Sequence, residues 1–335
     1  MSVPSQGIKL SIIIPVHNGG EDFRRCIERA ASAVSAECEI IVVADGESDG
    51  SWKIAGEYGA RTLVLPETRG PAGARNSGAG EAKGEILFFV DADVVVKPET
   101  VRQVLAVFDE DPGIAALFGS YDDAPAAGNF LSQYKNLLHH FVHQTSRENA
   151  ATFWSGCGAV RRDVFRAMGG FDEEYQRPSI EDVELGYRLK KAGYRIRLVK
   201  EIQVKHLKRW GVRSLLRADI FCRALPWTAL ILREGKLLND LNLTVSSRIS
   251  TVSVYLLLLS LAASVRFPLL LTSALVCSIV LLALNRDLYR FFRKKRGIAF
   301  AVSVLPWHWL YFLYSGLAFF IGYVRFRFGK ICVAG

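Results

Sequence analysis

ILFFVDAD, residues 86–93, gives the strongest indication of the fold of this chain. An unbroken apolar run ends there in two aspartates separated by an alanine. Such a run is typical of a strand that is buried on both faces, as in a parallel sheet. Because ligands bind at the carboxyl ends of such strands, Asp91 and Asp93 are predicted to lie at the binding edge of the sheet.

The segments around this strand alternate between strand and helix patterns. Strands are predicted for LSIIIPV (10–16), EIIVVAD (39–45), RTLVLP (61–66), 113–121 and 194–201. Helices are predicted for 20–36, 52–58, 99–108, 129–144 and 181–193. Between RTLVLP and the strand at 86–90, a glycine-rich loop after Gly70 and then a further helix are predicted. The alternation predicts an open α/β sheet.

Composition and charge narrow the class of protein. Half of the residues are hydrophobic, and the formal net charge is +9. No nucleic-acid motif accompanies this charge, so nucleic-acid binding is not expected. The six cysteines lack metal-ligand or disulfide spacing, and the polar first residues lack an apolar leader. The soluble part is therefore expected on the reducing, cytoplasmic side.

The apolar and basic pattern of the C-terminal third predicts that the chain is attached to a membrane. Residues 211–248 are basic and amphipathic, typical of helices in the membrane interface. Residues 249–335 are predicted as a membrane region with apolar segments at about 249–265, 267–284 and 298–324. The basic cluster within 286–296 favours the cytoplasm. Basic residues after 324 conflict with three complete spans, so the topology of the third segment stays open.

The two aspartates suit the chemistry of a nucleotide sugar. One carboxylate can hold ribose hydroxyls, and the other can bind a divalent ion that bridges diphosphate oxygens. Mg²⁺ or Mn²⁺ suits this role because hard cations prefer oxygen ligands. Taken alone the pair is a weak signal, since aspartates also cap turns at strand ends.

An ordered series of motifs surrounds the pair. The series is SIIIPVHN, ADGESDG, RGPAGARNSGAGEAKGE, DAD, SGCGAVRRDVF, GGFDE and EDVELGYRLKKAGYRI, within residues 9–210. It resembles the family 2 glycosyltransferases, whose catalytic domain has the GT-A fold. The resemblance implies a GT-A domain over residues 1–210 that binds a nucleotide-diphosphate sugar.

The resemblance also implies donor-binding residues. These are Pro15, Val16 and Asn18 at the nucleobase, Asp45 as acceptor from the base, Arg75 and Asn76 on the donor, and Asp91 and Ala92 at the turn. A turn cap is the alternative for Asp45. Ala44 and Glu47 depart from the family's DDGS-type turn, which leaves the base open. UDP-linked donors are favoured over GDP-linked ones.

Asp182 is predicted to be the catalytic base. The family's acidic pair falls on Glu181 and Asp182, where Asp182 would take the proton of the acceptor hydroxyl and Glu181 could orient the acceptor. Both acids also suit the N-terminus of a helix, where the macrodipole stabilises negative charge. A single base implies single displacement and inversion of the anomeric carbon.

The metal and acceptor predictions rest on the last motifs. HLKRW (206–210) carries a histidine where processive relatives have the glutamine of QxxRW. Asp93 and His206 are the predicted ligands of Mn²⁺ or Mg²⁺, although a lone histidine is more often structural. The residues assigned to the acceptor side are Trp154, Gly156, Arg209 and Trp210, with core packing as the alternative for Trp154.

These features predict a multi-pass membrane enzyme with a cytoplasmic catalytic domain. It would transfer one sugar, with inversion, to a lipid-linked or glycan acceptor. Arg209 and Trp210 keep a processive polysaccharide synthase open as an alternative. A catalytically silent membrane scaffold that binds nucleotide sugars is the alternative of another class.

Overall fold

The computed structural model describes residues 7–235 and 241–328. The chain divides between Gly211 and Val212 into an N-terminal unit and a C-terminal unit. The predicted regions 1–210, 211–248 and 249–335 each extend beyond the described residues, at 1–6, 236–240 and 329–335 respectively.

The N-terminal unit is built on a mixed sheet. Its strands are Leu10–Val16 (β1), Cys38–Asp45 (β2), Arg61–Leu65 (β3), Ile86–Val90 (β4), Val94–Val95 (β5), Ile114–Tyr121 (β6), Asn149–Ala150 (β7), Cys157–Arg161 (β8) and Arg195–His206 (β9). The order is β3-β2-β1-β4-β8-β6-β9-β5, and β7 pairs with β9. Strands β1 to β4 are parallel, whereas β8 is antiparallel to both β4 and β6. The expected open α/β sheet is confirmed.

Helices cover this sheet. They are Gly20–Ala33 (α1), Ser51–Glu57 (α2), Gly70–Glu81 (α3), Thr100–Glu110 (α4), Phe130–Thr145 (α5), Arg162–Ala167 (α6) and Glu181–Lys191 (α7). Two apolar clusters of buried side chains pack on the sheet, and all five residues of β4 are buried. This burial accounts for the continuous apolar run in the sequence.

Helix α3 begins at Gly70 itself, so the predicted loop after Gly70 was wrong, whereas the helix predicted between that loop and β4 is present. At Gly78 an added Cβ would lie 2.6 Å from Ile13 Cγ2 and 3.0 Å from Val43 Cγ2. Gly78 therefore lets the helix pack closely on β1 and β2. At this position glycine serves contact between helix and sheet, not approach to a phosphate.

Shortly after β4, the chain forms the short strand β5, which pairs with the end of β9. Val94 of β5 pairs with His206 of β9 in antiparallel register. The two predicted segments around 194–201 and 204–210 form one continuous strand as far as His206. This pairing brings Asp93, which directly precedes β5, beside His206.

The C-terminal unit is helical. Its elements are Val212–Asp219 (α8), a π-helical turn Ile220–Ala224, Leu225–Glu234 (α9), a 3₁₀ turn Leu241–Leu243, Val245–Ser264 (α10), Leu270–Leu284 (α11) and Arg286–Arg327 (α12). Helix α12 is broken at Gly297, where φ is 86°. Val254, Leu257, Ala274, Leu281 and Phe312 form a small buried cluster.

Two of these helices, α10 and α12, are long and apolar enough to cross a membrane by length and composition. Fewer than a third of the residues in either apolar window are buried, unlike the core helix of a soluble protein. Helix α11 has 15 residues and so extends only about 22 Å, less than the ~30 Å hydrocarbon core. The expected second span is thus short.

Candidate active site

A buried arginine joins two acidic residues that are far apart in the chain. Arg75 on α3 places Nη2 2.6 Å from Oδ1 of Asp91 and Nη1 2.8 Å from Oε1 of Glu181. The side chains of Arg75 and Glu181 are each only 5% exposed, whereas that of Asp91 is 33% exposed. Arg75, which was predicted to bind the donor sugar nucleotide, therefore holds one carboxylate just after β4 and one at the start of α7. A charge-assisted, buried bridge of this kind fixes geometry.

Asp93 and His206 form the second feature of the site. His206 Nε2 lies 3.5 Å from Asp93 Oδ2, and the Asp93 side chain is 30% exposed. Burial opposes ionisation of Asp93, but the hydrogen bond and charge of His206 outweigh it and lower the pKa of Asp93. The pair thus offers a partly exposed carboxylate beside an imidazole that is only 6% exposed.

This pair fits a divalent cation. Octahedral ligands about 2.1 Å from a metal stand about 3 Å apart, so the 3.5 Å separation needs only a small movement. Among the described residues, no group of three or more His, Cys, Asp or Glu side chains is placed to hold a metal. The chain would therefore supply two ligands here, and a phosphate-bearing substrate and water would supply the rest, as is usual for Mg²⁺ sites.

Asp182 lies in the first turn of α7, next to Glu181. Its Oδ2 accepts hydrogen bonds from Ser155 N at 3.0 Å and from Ser155 Oγ at 3.2 Å. Burial, followed by the charge of Glu181, raises the pKa of Asp182 to about 6. A carboxylate with a pKa near neutrality is suited to accept a proton during a reaction.

The residues around Ser155 connect Asp182 to the end of β4. Asp91 N donates to Gly156 O at 3.3 Å, one residue from the Ser155 that holds Asp182. A Cβ at Gly156 would lie 2.6 Å from the Trp154 ring. Gly156 therefore makes room for the Trp154 ring, and its assignment to the acceptor side stays a prediction. Trp154 packs on the ring of Tyr121, as the core-packing alternative expected.

Asp45 is the clearest difference from the sequence-based assignment. It is 4% exposed, and its two carboxylate oxygens accept from Arg69 N at 2.6 Å and Gly70 N at 2.9 Å. The carboxylate thus caps the N-terminus of α3, where backbone N–H groups lack helical partners. The cap, which was the alternative, describes this structure better than recognition of a base.

Glu47 caps the next helix in the same way. Its Oε2 accepts from Gly50 N at 2.8 Å and Ser51 N at 3.1 Å, at the start of α2. This contact explains why an acid replaces the small polar residue of the family turn. The difference from the DDGS-type turn at Glu47 therefore concerns the capping of α2.

The remaining predicted donor residues lie near the ends of β1 and β4. Val16 is buried, Pro15 is half-buried, and exposed Asn18 accepts a hydrogen bond from Ser48 N at 2.8 Å. Ala92 is half-buried between the two aspartates. Pro15, Val16, Asn18 and Ala92 remain predicted donor contacts.

Asn76 uses its side chain within the protein. Oδ1 accepts from Phe171 N at 2.9 Å, and Nδ2 donates to Phe171 O at 2.8 Å and to Glu173 Oε1 at 2.9 Å. These bonds occupy both amide donors and hold the GGFDE segment in place. The geometry favours a positioning role over direct contact with the donor.

Arg209 and Trp210 have different surroundings. Arg209 is exposed, whereas Trp210 is only 4% exposed. Trp210 N donates to Ser132 Oγ at 2.7 Å, and Trp210 O accepts from Asn129 Nδ2 at 2.7 Å. The tryptophan therefore anchors the chain to α5 and offers no open face to a glycan, contrary to its predicted acceptor role.

Two residues of this site, Ser155 and Asn136, were not predicted from the sequence. Ser155 lies inside the quoted SGCGAVRRDVF motif, but nothing in the linear pattern indicated that it would contact Asp182. Asn136 accepts from His206 across 70 positions of sequence, and it lies in a helix whose polar residues gave no functional signal.

Comparison with known proteins identifies this arrangement. A model of glycosyl transferase family 2 matches residues 11–169. The chain carries a family 2 glycosyltransferase domain. A second model, described as the N-terminal domain of galactosyltransferase, matches residues 136–210 of the glycosyltransferase chain. Together the matched segments include Asp91, Asp93, Asp182 and His206.

A curated relative matches a large part of the glycosyltransferase chain. The pre-mycofactocin glycosyltransferase of Mycobacterium tuberculosis is 28% identical over 224 residues, which is 63% of this chain and 45% of the relative. The chain thus matches less than half the length of this relative. This coverage is too small for the relative's activity to be assigned to the whole chain.

Solved structures confirm the fold of the glycosyltransferase domain. The mannosyltransferase PcManGT from Pyrobaculum calidifontis, in complex with GDP-Man and Mn²⁺, is 16% identical with a TM-score of 0.56, covering 94% of this chain and 87% of that one. S. aureus TarS in complex with UDP-GlcNAc is 21% identical with a TM-score of 0.51, covering 69% and 67%. At these identities the likeness establishes the GT-A fold alone.

Proposed function

We propose that this chain transfers a single sugar from a nucleotide-diphosphate sugar to a membrane-associated acceptor, with inversion and with a divalent metal. The observation that carries the proposal is the connection of two chemical groups. Asp182, a carboxylate with a raised pKa, is tied to the Asp91–Asp93 turn through Arg75 and through residues 154–156. The turn suits a nucleotide sugar, and the carboxylate suits a base.

The reaction needs one base and one leaving group. Asp182 takes the proton from the acceptor hydroxyl, whose oxygen forms the new bond to the anomeric carbon. The bond between that carbon and the diphosphate oxygen breaks, and its electron pair leaves with the nucleoside diphosphate. Glu181 accepts hydrogen bonds from Arg75 Nη1 and from Ser179 N, which supports a positioning role for it. With Asp182 as the one base, the proposed reaction is a single displacement that inverts the anomeric carbon.

Negative charge develops on the leaving diphosphate. Asp93 and His206 would hold Mn²⁺ or Mg²⁺ beside it, and the ion would supply neutralisation of that charge. Asp91, steadied by Arg75, presents a partly exposed carboxylate for the ribose hydroxyls. Exposed Arg209 follows His206 by three residues and can approach the phosphates. We propose that the donor carries UDP, with GDP as the alternative nucleotide.

The exposed apolar surface of the C-terminal unit supports the proposal that the acceptor is membrane-associated. Helices α10 and α12 carry large exposed apolar side chains, such as Leu259 at 65% and Phe320 at 63% exposure. Apolar surface of this extent suits insertion in a membrane. A multi-pass anchor with the catalytic domain in the cytoplasm would keep the enzyme at lipid-linked or growing glycan acceptors.

A thermal-shift panel on the detergent-solubilised full chain tests donor and metal together. UDP, GDP, CDP and dTDP and their common sugar conjugates are compared with and without Mn²⁺. We expect one nucleotide to raise Tm only with Mn²⁺, because a ligand that binds the folded state stabilises it. The shift should be lost in Asp93→Ala. A panel without any shift would contradict donor binding.

Asp182→Asn separates an enzyme from a silent scaffold. Release of nucleoside diphosphate is measured with membrane lipid extract as the acceptor source. We expect a loss of about 10²- to 10⁴-fold, because the variant lacks the base, with an unchanged donor-induced Tm shift. Asp111→Asn, at an exposed ion pair with Arg195, is the matched control. Equal turnover in the Asp182 variant would favour a different base.

A further inference from the structure

Asn136 occupies a buried position behind the proposed metal site. It lies on α5, is 2% exposed, and places Oδ1 2.8 Å from Nδ1 of His206. Its Nδ2 is buried without a hydrogen-bond partner among the described residues. Burying an amide group without a partner costs about 1–3 kcal/mol, so this asparagine is an expensive choice for packing alone.

The contact determines which nitrogen of His206 carries the proton. A carbonyl oxygen only accepts, so Nδ1 must donate a proton to Asn136 Oδ1. In neutral imidazole the other nitrogen, Nε2, then has a free lone pair. That lone pair is on the nitrogen 3.5 Å from Asp93 Oδ2. In this neutral tautomer no proton lies between the two atoms, so a bound cation would take the place that the Nε2 proton of the charged imidazole holds in the metal-free contact with Asp93.

The plane of the imidazole ring is set by a different residue. Tyr121 at the end of β6 stacks on His206, with ring centroids 4.3 Å apart and planes inclined by 9°. Stacking limits the tilt of the ring, but it does not choose between the two tautomers. Asn136 is thus the contact that can select the metal-binding form.

We infer that Asn136 is a positioning residue that holds His206 in the Nδ1–H form and directs Nε2 towards a divalent cation shared with Asp93. The inference rests on the proposed metal-dependent transfer. Removing an outer partner of a metal-binding histidine typically costs 10–100-fold in metal affinity. The amide turned by 180° would donate through Nδ2 to Nδ1, and would place the imidazole proton on Nε2 instead.

Asn136→Asp distinguishes these two orientations. Aspartate has almost the same shape, but its ionised side chain can only accept. Mn²⁺ is titrated into the detergent-solubilised full chain, alone and with the nucleoside diphosphate that stabilises it, and free Mn²⁺ is read by electron paramagnetic resonance. We expect Asn136→Asp to bind Mn²⁺ at least as tightly as the wild type. Weaker binding by 10-fold or more would mean that the amide donates, and would overturn the inference.

Asn136→Leu removes the acceptor and should weaken Mn²⁺ binding by about 10–100-fold. Gln144→Leu is the matched control, since it removes another hydrogen bond from α5 to β9, that of Gln144 Nε2 to Lys200 O at 3.0 Å. Metal-free Tm is measured for each variant to compare folding. Wild-type affinity in Asn136→Leu would overturn the inference.

The same titration separates failure of the inference from failure of the proposed function. His206→Ala and Asp93→Ala should each lose Mn²⁺ binding. If they do and Asn136→Leu does not, the metal site stands and the role of Asn136 is wrong. A wild-type chain that binds no Mn²⁺ would overturn both the metal-dependent transfer and the role of Asn136.

Discussion

Arg75 Nη1 lies 2.8 Å from Glu181 Oε1, and both side chains are buried although 106 positions separate them in sequence. The same guanidinium bonds Asp91 through Nη2. One side chain therefore ties the strand end that is proposed to hold the donor to the helix that carries the proposed base. The alignment of the two halves of the site depends on this bridge.

Replacing Arg75 by methionine should destabilise the protein strongly. The change leaves Glu181 buried without its ion-pair partner, and breaking a buried pair in this way costs about 3–5 kcal/mol. We expect a marked fall in Tm, measured by intrinsic tryptophan fluorescence of the solubilised chain. Arg24→Met is the control, since Arg24 and Glu57 form an exposed pair at 2.8 Å and should contribute nothing measurable. Equal Tm values for the two variants would refute a structural role for the bridge.

Turnover should fall as the pH drops through about 6. Asp182 has a raised pKa of about 6, so the base becomes protonated below that pH. Its ordinary pKa is 3.8, so between these values the folded state holds a proton that the unfolded state releases. The contribution of Asp182 to stability therefore declines as pH rises through this range. The pH profile of nucleoside diphosphate release should show one acidic inflection, and a profile that is flat from pH 5 to 8 would contradict this assignment.

Ser155→Ala should move that inflection to higher pH. The serine hydroxyl donates to Oδ2 of Asp182 and so favours the ionised form. A hydroxyl-to-carboxylate bond as long as 3.2 Å contributes about 0.5–1.5 kcal/mol, which corresponds to a shift of about 0.4–1 pH unit. The profile of Ser32→Ala, at an exposed serine on α1, should match the wild type. A shift to lower pH would rule out the proposed contact.

Asp45→Ala should affect stability and leave nucleotide preference unchanged. The variant removes the acceptor for Arg69 N and Gly70 N at the start of α3. Leaving such N–H groups unpaired costs about 1–3 kcal/mol. Tm should fall, while the ratio of dissociation constants for UDP and GDP stays constant. A changed ratio would restore Asp45 as a base-recognition residue.

Two glycines of α3 should respond to alanine in opposite directions. Gly70 has φ of 78°, and an added Cβ would lie 2.0 Å from Gln176 O, so Gly70→Ala must displace backbone and lower Tm. Gly80 is exposed in the same helix, with nothing within 4 Å of an added Cβ. Gly80→Ala should stabilise the protein by about 0.5–1 kcal/mol through helix propensity. Equal effects would mean that the space around Gly70 is not limiting.

The glycine-rich segment shows why local pattern and tertiary packing can disagree. Glycine has low helix propensity, so the sequence predicts a loop after Gly70 and places the helix only behind it. The helix forms because Gly78 lets it approach Ile13 and Val43 closely and because Asp45 caps its first turn. Neither contact is visible in a window of neighbouring residues.

The alternation of strands β1 to β4 with helices, and the acidic motifs at their ends, could be predicted from the sequence. Periodicity and apolar runs are local properties; Asp91 and Asp93 directly follow a predicted strand, and Asp182 lies in the first turn of a predicted helix. Nothing in the sequence indicated that Arg75 joins Asp91 to Glu181, that Asn136 contacts His206, or that Trp210 is buried; these are visible in the tertiary structure alone. Those contacts depend on the order and direction of strands in the sheet, which place residues from distant segments at one edge.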